Sequence, residues 1–283
     1  MSREPSGRRV KLSIGVRDSG VGGLTVAREL RKRLPGARLL YFADTAHVPY
    51  GDKTSEEIRH YALSISGFLK RQGAEALVFA CNTTSAHALP LARDKFAPTP
   101  VFGVIEPGAR LAAQCGRKVG VLATQATVNS GVYTRVLHRL NPRIQSCEIA
   151  CPAFVPLVES EQTTSREALE ACRHYLAPLQ RFGAEAVILG CTHYPLLLPL
   201  MREVAPELHF VDPATALAEE VATRFPYIEP SSEPDRYWVS GPREGVANWV
   251  RTLMDIEEPN LEVGPVFDLH QAHDHSTRHH VAA

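Results

Sequence analysis

Residues 73–83 read GAEALVFACNT, and residues 183–193 read GAEAVILGCTH. In both, a Gly-Ala-Glu-Ala lead-in runs into an apolar stretch, ends in a cysteine and continues into a short polar pair. Cys81 and Cys191 stand 110 positions apart, as do Gly73 and Gly183. A short apolar run bounded by turn residues has the length of a buried strand. Each copy therefore predicts a strand that delivers a thiol to its carboxyl end. Two such copies suggest two similar half-molecules with a site built between them.

The repeat extends outward from this pair. KLSIGVRDSG at 11–20 resembles RKVGVLATQA at 117–126, and VFGVIEPGARLAA at 101–113 resembles HFVDPATALAEE at 209–220. Three landmarks in the same order, at nearly one offset, mark a duplicated unit. Apolar runs predict strands at 12–16, 39–42, 76–80, 101–104, 118–123, 144–150, 186–190 and 209–211. Helical spacing fits 24–34, 55–72, 85–95, 108–114, 131–140, 166–182, 196–204 and 214–225. Alternation of strand and helix implies parallel sheets covered on both faces. The expected fold class is α/β, with two pseudo-symmetric parallel-sheet domains and the active site in the cleft between them.

Boundaries are expected near 104–107 and 211–213, where strand ends meet proline. This assigns residues 1–104 and 213–283 to the first domain and 105–212 to the second. The apolar Tyr-Trp-Val at 237–239 and the helical spacing at 244–254 fall outside the duplication and are read as returning to the first domain. The first ten or so residues and the last twenty or so are expected to be solvated tails. The latter tail carries His270, His273, His275, His279 and His280 at irregular spacing.

With 283 residues, 44% hydrophobic and 22% charged, the chain can build a core in each half. Its 31 basic residues match its 31 acidic ones, so no electrostatic footprint for nucleic acid or anionic membrane is present. No apolar run approaches a membrane span, and the basic amino terminus lacks the apolar core of a secretory signal. Six unevenly spaced cysteines without a CxxC pair argue against a disulfide framework or a zinc ribbon. The expected setting is the cytoplasm, and the expected ligand is small.

In open parallel sheets, ligands sit beyond the carboxyl ends of the strands. Four polar segments end strands here: Asp18-Ser19, Pro49-Tyr50-Gly51, Cys81-Asn82-Thr83 and Cys191-Thr192-His193. In DSGVGGLTV at 18–26, glycines let the backbone turn and point N–H groups toward a carboxylate or phosphate. Thr25 occupies the place of the third glycine of a dinucleotide fingerprint, and no P-loop lysine follows. A small carboxylate is therefore preferred to a nucleotide, with a plain tight turn as the alternative. Cys115, Cys147, Cys151 and Cys172 are read as small buried hydrophobes. Cys81 and Cys191 differ, since each ends a strand beside hydrogen-bonding groups that can promote the thiolate. Zinc needs more ligands, a disulfide needs contact, and a nucleophilic hydrolase needs one cysteine. Inversion of a stereocentre is the task that uses two, one removing a proton and the other returning one to the opposite face.

IGVRDSGVGGLTV, DTAHVPYGDKT, FACNTTSA and LGCTHYPLL together resemble the glutamate racemase family over residues 12–225. The resemblance implies interconversion of L- and D-glutamate without pyridoxal phosphate or metal, supplying D-glutamate for peptidoglycan, in a homodimer. It implies that Cys81 and Cys191 are the acid and base, with Asp18 assisting Cys81 and His193 assisting Cys191. Ser19, Asn82, Thr83 and Thr192 would hold the substrate, and Pro49, Tyr50 and Gly51 would close the site. Glu159, in VPLVES, resembles a supporting carboxylate near the histidine. Asp18 and His193 would also face the substrate. Other members of the superfamily act on aspartate or hydantoins, which leaves those substrates open. So is a weakened or non-catalytic binding protein, because the family commonly carries phenylalanine where this chain has Arg17. A cation there is expected to pair with Asp18, to hold a further substrate carboxylate or to face solvent. Pairing would withdraw Asp18 from Cys81 and weaken activity relative to Arg17→Phe.

Overall fold

The computed structural model describes residues 10–269. The amino-terminal nine residues and the histidines from 270 onward lie outside that range. The first half runs through β1 (Val10–Lys11), β2 (Ser13–Asp18), α1 (Leu24–Arg33), β3 (Arg38–Ala43), α2 (Ser55–Arg71), β4 (Ala76–Phe79), α3 (Asn82–Lys95), β5 (Val101–Gly103) and α4 (Ile105–Cys115). The second continues with β6 (Lys118–Ala123), α5 (Gln125–Ser130), α6 (Val132–Leu140), β7 (Gln145–Ala150), α7 (Phe154–Glu159), α8 (Arg166–Phe182), β8 (Ala186–Gly190), α9 (Leu198–Val204), β9 (His209–Val211) and α10 (Pro213–Arg224). The described residues end with β10 (Ile228–Glu229), β11 (Arg236–Val239), α11 (Arg243–Met254) and β12 (Leu261–Val263).

All strand pairs among the described residues are parallel. One sheet has six strands in the order β12-β11-β3-β2-β4-β5, another has four in the order β7-β6-β8-β9, and β1 pairs with β10 at the margin. Tyr237–Val239 thus returns to the first sheet, with Tyr237 opposite Tyr41.

The Gly-Ala-Glu-Ala repeat has a physical cause. Gly73 (φ 96°) and Gly183 (φ 73°) leave α2 and α8 in the left-handed region, which costs a residue without Cβ little. The following glutamates then pin the neighbouring strand. Glu75 Oε2 accepts from Ser13 N–H at 3.0 Å, and Glu185 Oε2 accepts from Arg117 and Lys118 N–H at 2.7 and 2.8 Å. Each copy therefore stops a helix, starts a strand and fixes its register against the partner that begins the half, Ile14 opposite Ala76 and Val119 opposite Ala186.

Strand alternation then sorts side chains into layers. Ile14, Val16 and Val78 from the first sheet, and Val119, Val121 and Ile188 from the second, join one shared core that also takes in α1, α4 and α10. The opposite face of the first sheet, with Leu40, Phe42, Leu77 and Phe79, is covered by α2 and α3. That of the second, with Leu122, Val187 and Leu189, is covered by α7, α8 and α9. The two sheets thus share one helical layer, and the segments after their strands meet, Thr83 with Thr124 and Asp18 with Thr192.

Three expectations change here. Residues 264–269 do not behave as a solvated tail: Phe267 lies 6.1 Å from Phe42, ring centre to ring centre, and Asp268 Oδ1 is 3.1 Å from His47 Nε2. Cys115 is exposed and Cys147 half-buried, because one sits at the end of α4 and the other on the edge strand β7. The third helix begins at Asn82, three residues earlier than its spacing suggested, because Cys81 is its cap and the polar Asn-Thr-Thr forms its buried first turn.

Candidate active site

Cys81 and Cys191 each follow a central strand, β4 and β8, and are buried at 5% and 6% exposure. Cys191 Sγ lies 3.7 Å from His193 Nδ1, and His193 Nε2 lies 2.6 Å from Glu159 Oε1. Glu159 Oε1 also accepts the Val21 N–H at 3.2 Å, tying the second half to the first. Burial alone pulls the His193 pKa down, but its bonds to Cys191 and Glu159 outweigh this and hold it well above the ordinary histidine value. Burial likewise opposes ionisation of Glu159, yet the histidine bond leaves its pKa lowered. The Cys191 side is thus a thiol, an imidazolium and a carboxylate in line.

The Cys81 side is built differently. Its Sγ points to Ser19 Oγ at 3.7 Å. Burial raises the thiol pKa and the nearby Asp18 raises it further, while Arg17 and the Thr84 hydroxyl and amide lower it. Asp18 is fully buried and its carboxylate is turned toward the glycine loop: Oδ2 accepts Gly20 and Gly23 N–H at 3.2 and 2.9 Å, and Thr192 Oγ1 donates to Oδ1 at 3.3 Å. Burial raises its pKa as the largest influence. The Gly20, Val21 and Gly23 amides of the loop proposed for a ligand carboxylate are therefore taken by the chain's own carboxylates, Asp18 and Glu159. Its glycines serve close approach as well: a Cβ on Gly22 would stand 2.6 Å from both His193 Nδ1 and Thr192 Oγ1.

Arg17 does not pair with Asp18 and does not face solvent. Successive residues of β2 point to opposite faces, so Asp18 enters the loop while Arg17 enters the layer under α2 and α3. There it is fully buried, donating through Nη1 to Thr84 Oγ1 and through Nη2 to Tyr50 OH at 3.2 Å. Its guanidinium carbon lies 5.5 Å and 5.6 Å from the ring centres of Tyr50 and Phe79. Tyr50 OH donates onward to Asp44 Oδ2 at 2.5 Å, and Asp44 also receives Ser240 Oγ at 2.7 Å and His47 Nδ1 at 2.9 Å. The Tyr50 hydroxyl accordingly serves this network.

Between the thiols, hydroxyls and amides converge from both halves. Tyr133 OH donates to Asn82 Oδ1 at 2.6 Å, which leaves the Asn82 NH2 as a donor. Thr83 Oγ1 lies 2.8 Å from Thr124 Oγ1 and 3.2 Å from Thr127 Oγ1. Gly51 lies against Thr124, where an added Cβ would meet the threonine Cβ at 3.2 Å. Pro49 precedes that contact in the same loop and is half-buried. Thr84, Thr124, Thr127 and Tyr133 were not among the sequence candidates. The match of RKVGVLATQA at 117–126 to KLSIGVRDSG at 11–20 carried the signal for Thr124, which aligns with Asp18 at the carboxyl end of the equivalent strand.

The cavity beside Cys191, Thr192 and Asn82 measures about 10 Å3, room for about one water. A groove of about 720 Å3 lies elsewhere, between α4 and α10 around Arg110, Leu111 and Glu219. Among the described residues no group of three or more His, Cys, Asp or Glu side chains is placed to hold a metal ion, and no helix is long and apolar enough to cross a membrane.

A family model described as Asp/Glu/Hydantoin racemase matches residues 24–221. The chain belongs to that family. Within it, a curated glutamate racemase of Desulforudis audaxviator is 50% identical over 209 residues, 73% of this chain and 76% of its own. A crystal structure of glutamate racemase from Francisella tularensis in complex with D-glutamate superposes with a TM-score of 0.84 at 30% identity, covering 90% of this chain and 98% of the other. The Thermus thermophilus glutamate racemase, in complex with beta-chloro-D-alanine, gives 0.81 at 41% identity, covering 92% and 99%. The two-domain α/β fold class expected from the repeat is that of these structures.

Proposed function

We propose that the protein is a glutamate racemase that moves protons with Cys81 and Cys191 and no cofactor. The observation that supports this reading is the pair of buried thiols at equivalent strand ends, Cys191 beside His193 and Cys81 beside Ser19 with Asp18 nearby. In one direction, one cysteine as thiolate takes the Cα proton, forming S–H as the C–H bond breaks. The opposite cysteine as thiol then gives its proton to the other face of Cα. The enzyme is left with thiol and thiolate exchanged, and a proton must return through Asp18 or His193 before the same direction repeats.

The Cα proton is weakly acidic, so the carbanion needs preorganised donors in a site closed to water. Ser19, Thr83, Thr192, the free Asn82 NH2 and the amino-terminal end of α3 supply donors suited to the substrate carboxylate and the developing charge. His193, held by Glu159, keeps a proton beside Cys191; Asp18, reaching Thr192 and lying near Cys81, links the two sides. Pro49, Tyr50 and Gly51 shape the edge that contacts Thr124. Both thiols are covered at rest, so entry of an amino acid requires the halves to part and re-close. The division into residues 1–104 with 213–283, and 105–212, is the hinge arrangement that such motion would use.

Glutamate is favoured over aspartate by the names of the relatives at high identity. In a bacterial cytoplasm the product would feed peptidoglycan, and a homodimer is the assembly we assign. Incubation of the purified protein with L-glutamate or L-aspartate, followed by chiral separation, tests the reading. D-Glutamate is expected from the first; conversion of aspartate alone, or of neither, overturns it.

A further inference from the structure

We propose that Arg17 is a positioning residue for Cys81: it fixes the direction of the Thr84 hydroxyl and lends a buried positive charge that favours the thiolate. The inference deepens the proposed two-thiol reaction and rests on that reading for its catalytic meaning.

The geometry begins with Thr84. A hydroxyl has one proton to give and lone pairs that accept. Arg17 Nη1 has no lone pair, so in their contact it must donate and Thr84 Oγ1 must accept. The hydroxyl proton is then free to point to another acceptor. Cys81 and Thr84 stand at the cap and third positions of α3, the spacing at which a cap atom faces the first turn. Sγ makes no cap hydrogen bond at rest; at this spacing the Thr84 hydroxyl and N–H are the first-turn donors nearest an ionised sulfur, and both pull the thiol pKa down against the larger upward effect of burial.

The charge supplies the second part. Arg17 is fully buried, and its Nε has no hydrogen-bond partner among the described residues. Its nearest acidic group in the bonded network, Asp44, is reached only through the Tyr50 hydroxyl and is also bonded to Ser240 and His47. A buried cation without a direct carboxylate partner gains from any anion that forms nearby. By linkage, what a thiolate at Cys81 does for Arg17, Arg17 does for the thiolate.

The other groups around Cys81 do not supply this. Asp18 from β2 repels a thiolate, Ser19 is neutral, and Tyr41 from β3 and Tyr50 carry pKa values raised well above normal by burial. Arg17 and Asp18, adjacent in sequence and on opposite faces of one strand, therefore act on the same thiol in opposite senses. Cys191 has an imidazolium that can lose its proton. Cys81 has a guanidinium that does not.

The test measures alkylation of each cysteine by iodoacetamide against pH in the full-length protein, resolved by peptide mass spectrometry. In Arg17→Met and in Thr84→Val, the Cys81 midpoint should rise by about one pH unit, making its alkylation about tenfold slower near neutral pH. Thr84→Ser, which keeps the hydroxyl, should restore the wild-type midpoint, and Cys191 should not move in any of these variants. An unmoved Cys81 midpoint in folded Thr84→Val, or an equal shift at both cysteines, overturns the proposal. Thr84→Val carries the test by itself if Arg17→Met does not fold. These rates read thiol acidity whether or not the protein racemises glutamate, so failure here is separable from failure of the functional reading.

Discussion

Glu159→Gln removes one charge from the line Glu159–His193–Cys191 while keeping shape. In the wild type the 2.6 Å bond joins a histidine that is 1% exposed to a carboxylate that is 23% exposed. A hydrogen bond between charged partners contributes about 1.5–3 kcal/mol, against about 0.5–1.5 for a neutral one. Glutamine keeps a carbonyl for Val21 N–H or the imidazole, but no counter-charge. Because His193 can shed its proton instead of remaining an unpaired buried cation, we expect a loss of about 2–3 kcal/mol near pH 6. In a chain of this length that corresponds to a fall in Tm of about 4–6 °C.

The pH dependence fixes the cause. His193 has a raised folded-state pKa, so its contribution is complete below the ordinary value of 6.5 and fades as pH rises through the higher folded value. Glu159 has a lowered one, so its contribution is complete above the ordinary 4.5 and fades as pH falls through the folded value. The gap in Tm between wild type and Glu159→Gln should be widest between those two ordinary values and shrink in alkali. Melting curves across that span and upward read it directly. A gap that is absent, or constant from acid to alkali, would refute the reasoning.

Gly22→Ala places a Cβ 2.6 Å from the His193 ring and the Thr192 hydroxyl and 2.8 Å from the His193 backbone nitrogen; chemical denaturation should show a loss of about 1–3 kcal/mol, with activity reduced in both directions. Tyr133→Phe breaks the 2.6 Å bond that orients Asn82 and should cost about 1 kcal/mol. Its kinetic effect should fall mainly on KM if Asn82 binds the substrate carboxylate equally in ground and transition states.

Much of the fold was legible because the strands are buried on both faces. The apolar runs at 76–80 and 186–190 coincide with β4 and β8 to within a residue, and the glycines that precede them mark real helix ends. Short elements escaped, since α5 and α7 span six residues each and show no helical period. The place of β11 beside β3 escaped as well: a pairing nearly 200 residues apart in sequence leaves no local trace. At the site, polar residues at strand ends were found, and the geometry bonds Asp18 to Thr192 and His193 to Glu159. Thr84 and Tyr133 lie on helix faces, where a hydroxyl turned to a buried partner looks in sequence like one turned to solvent. Arg17 is the instructive case. Adjacency to Asp18 suggested an ion pair, whereas the period of two along β2 separates them and sends the cation to the opposite layer.

The claim that two opposed thiols carry the reaction is tested most directly by incubating L-glutamate in D2O with the wild-type protein, Cys81→Ala and Cys191→Ala. Wild type should yield D-glutamate carrying deuterium at Cα, and each variant should lose racemisation by a factor of about 100 to 10,000, the usual contribution of one positioned acid or base. Undiminished formation of labelled D-glutamate by either single-alanine variant would contradict it.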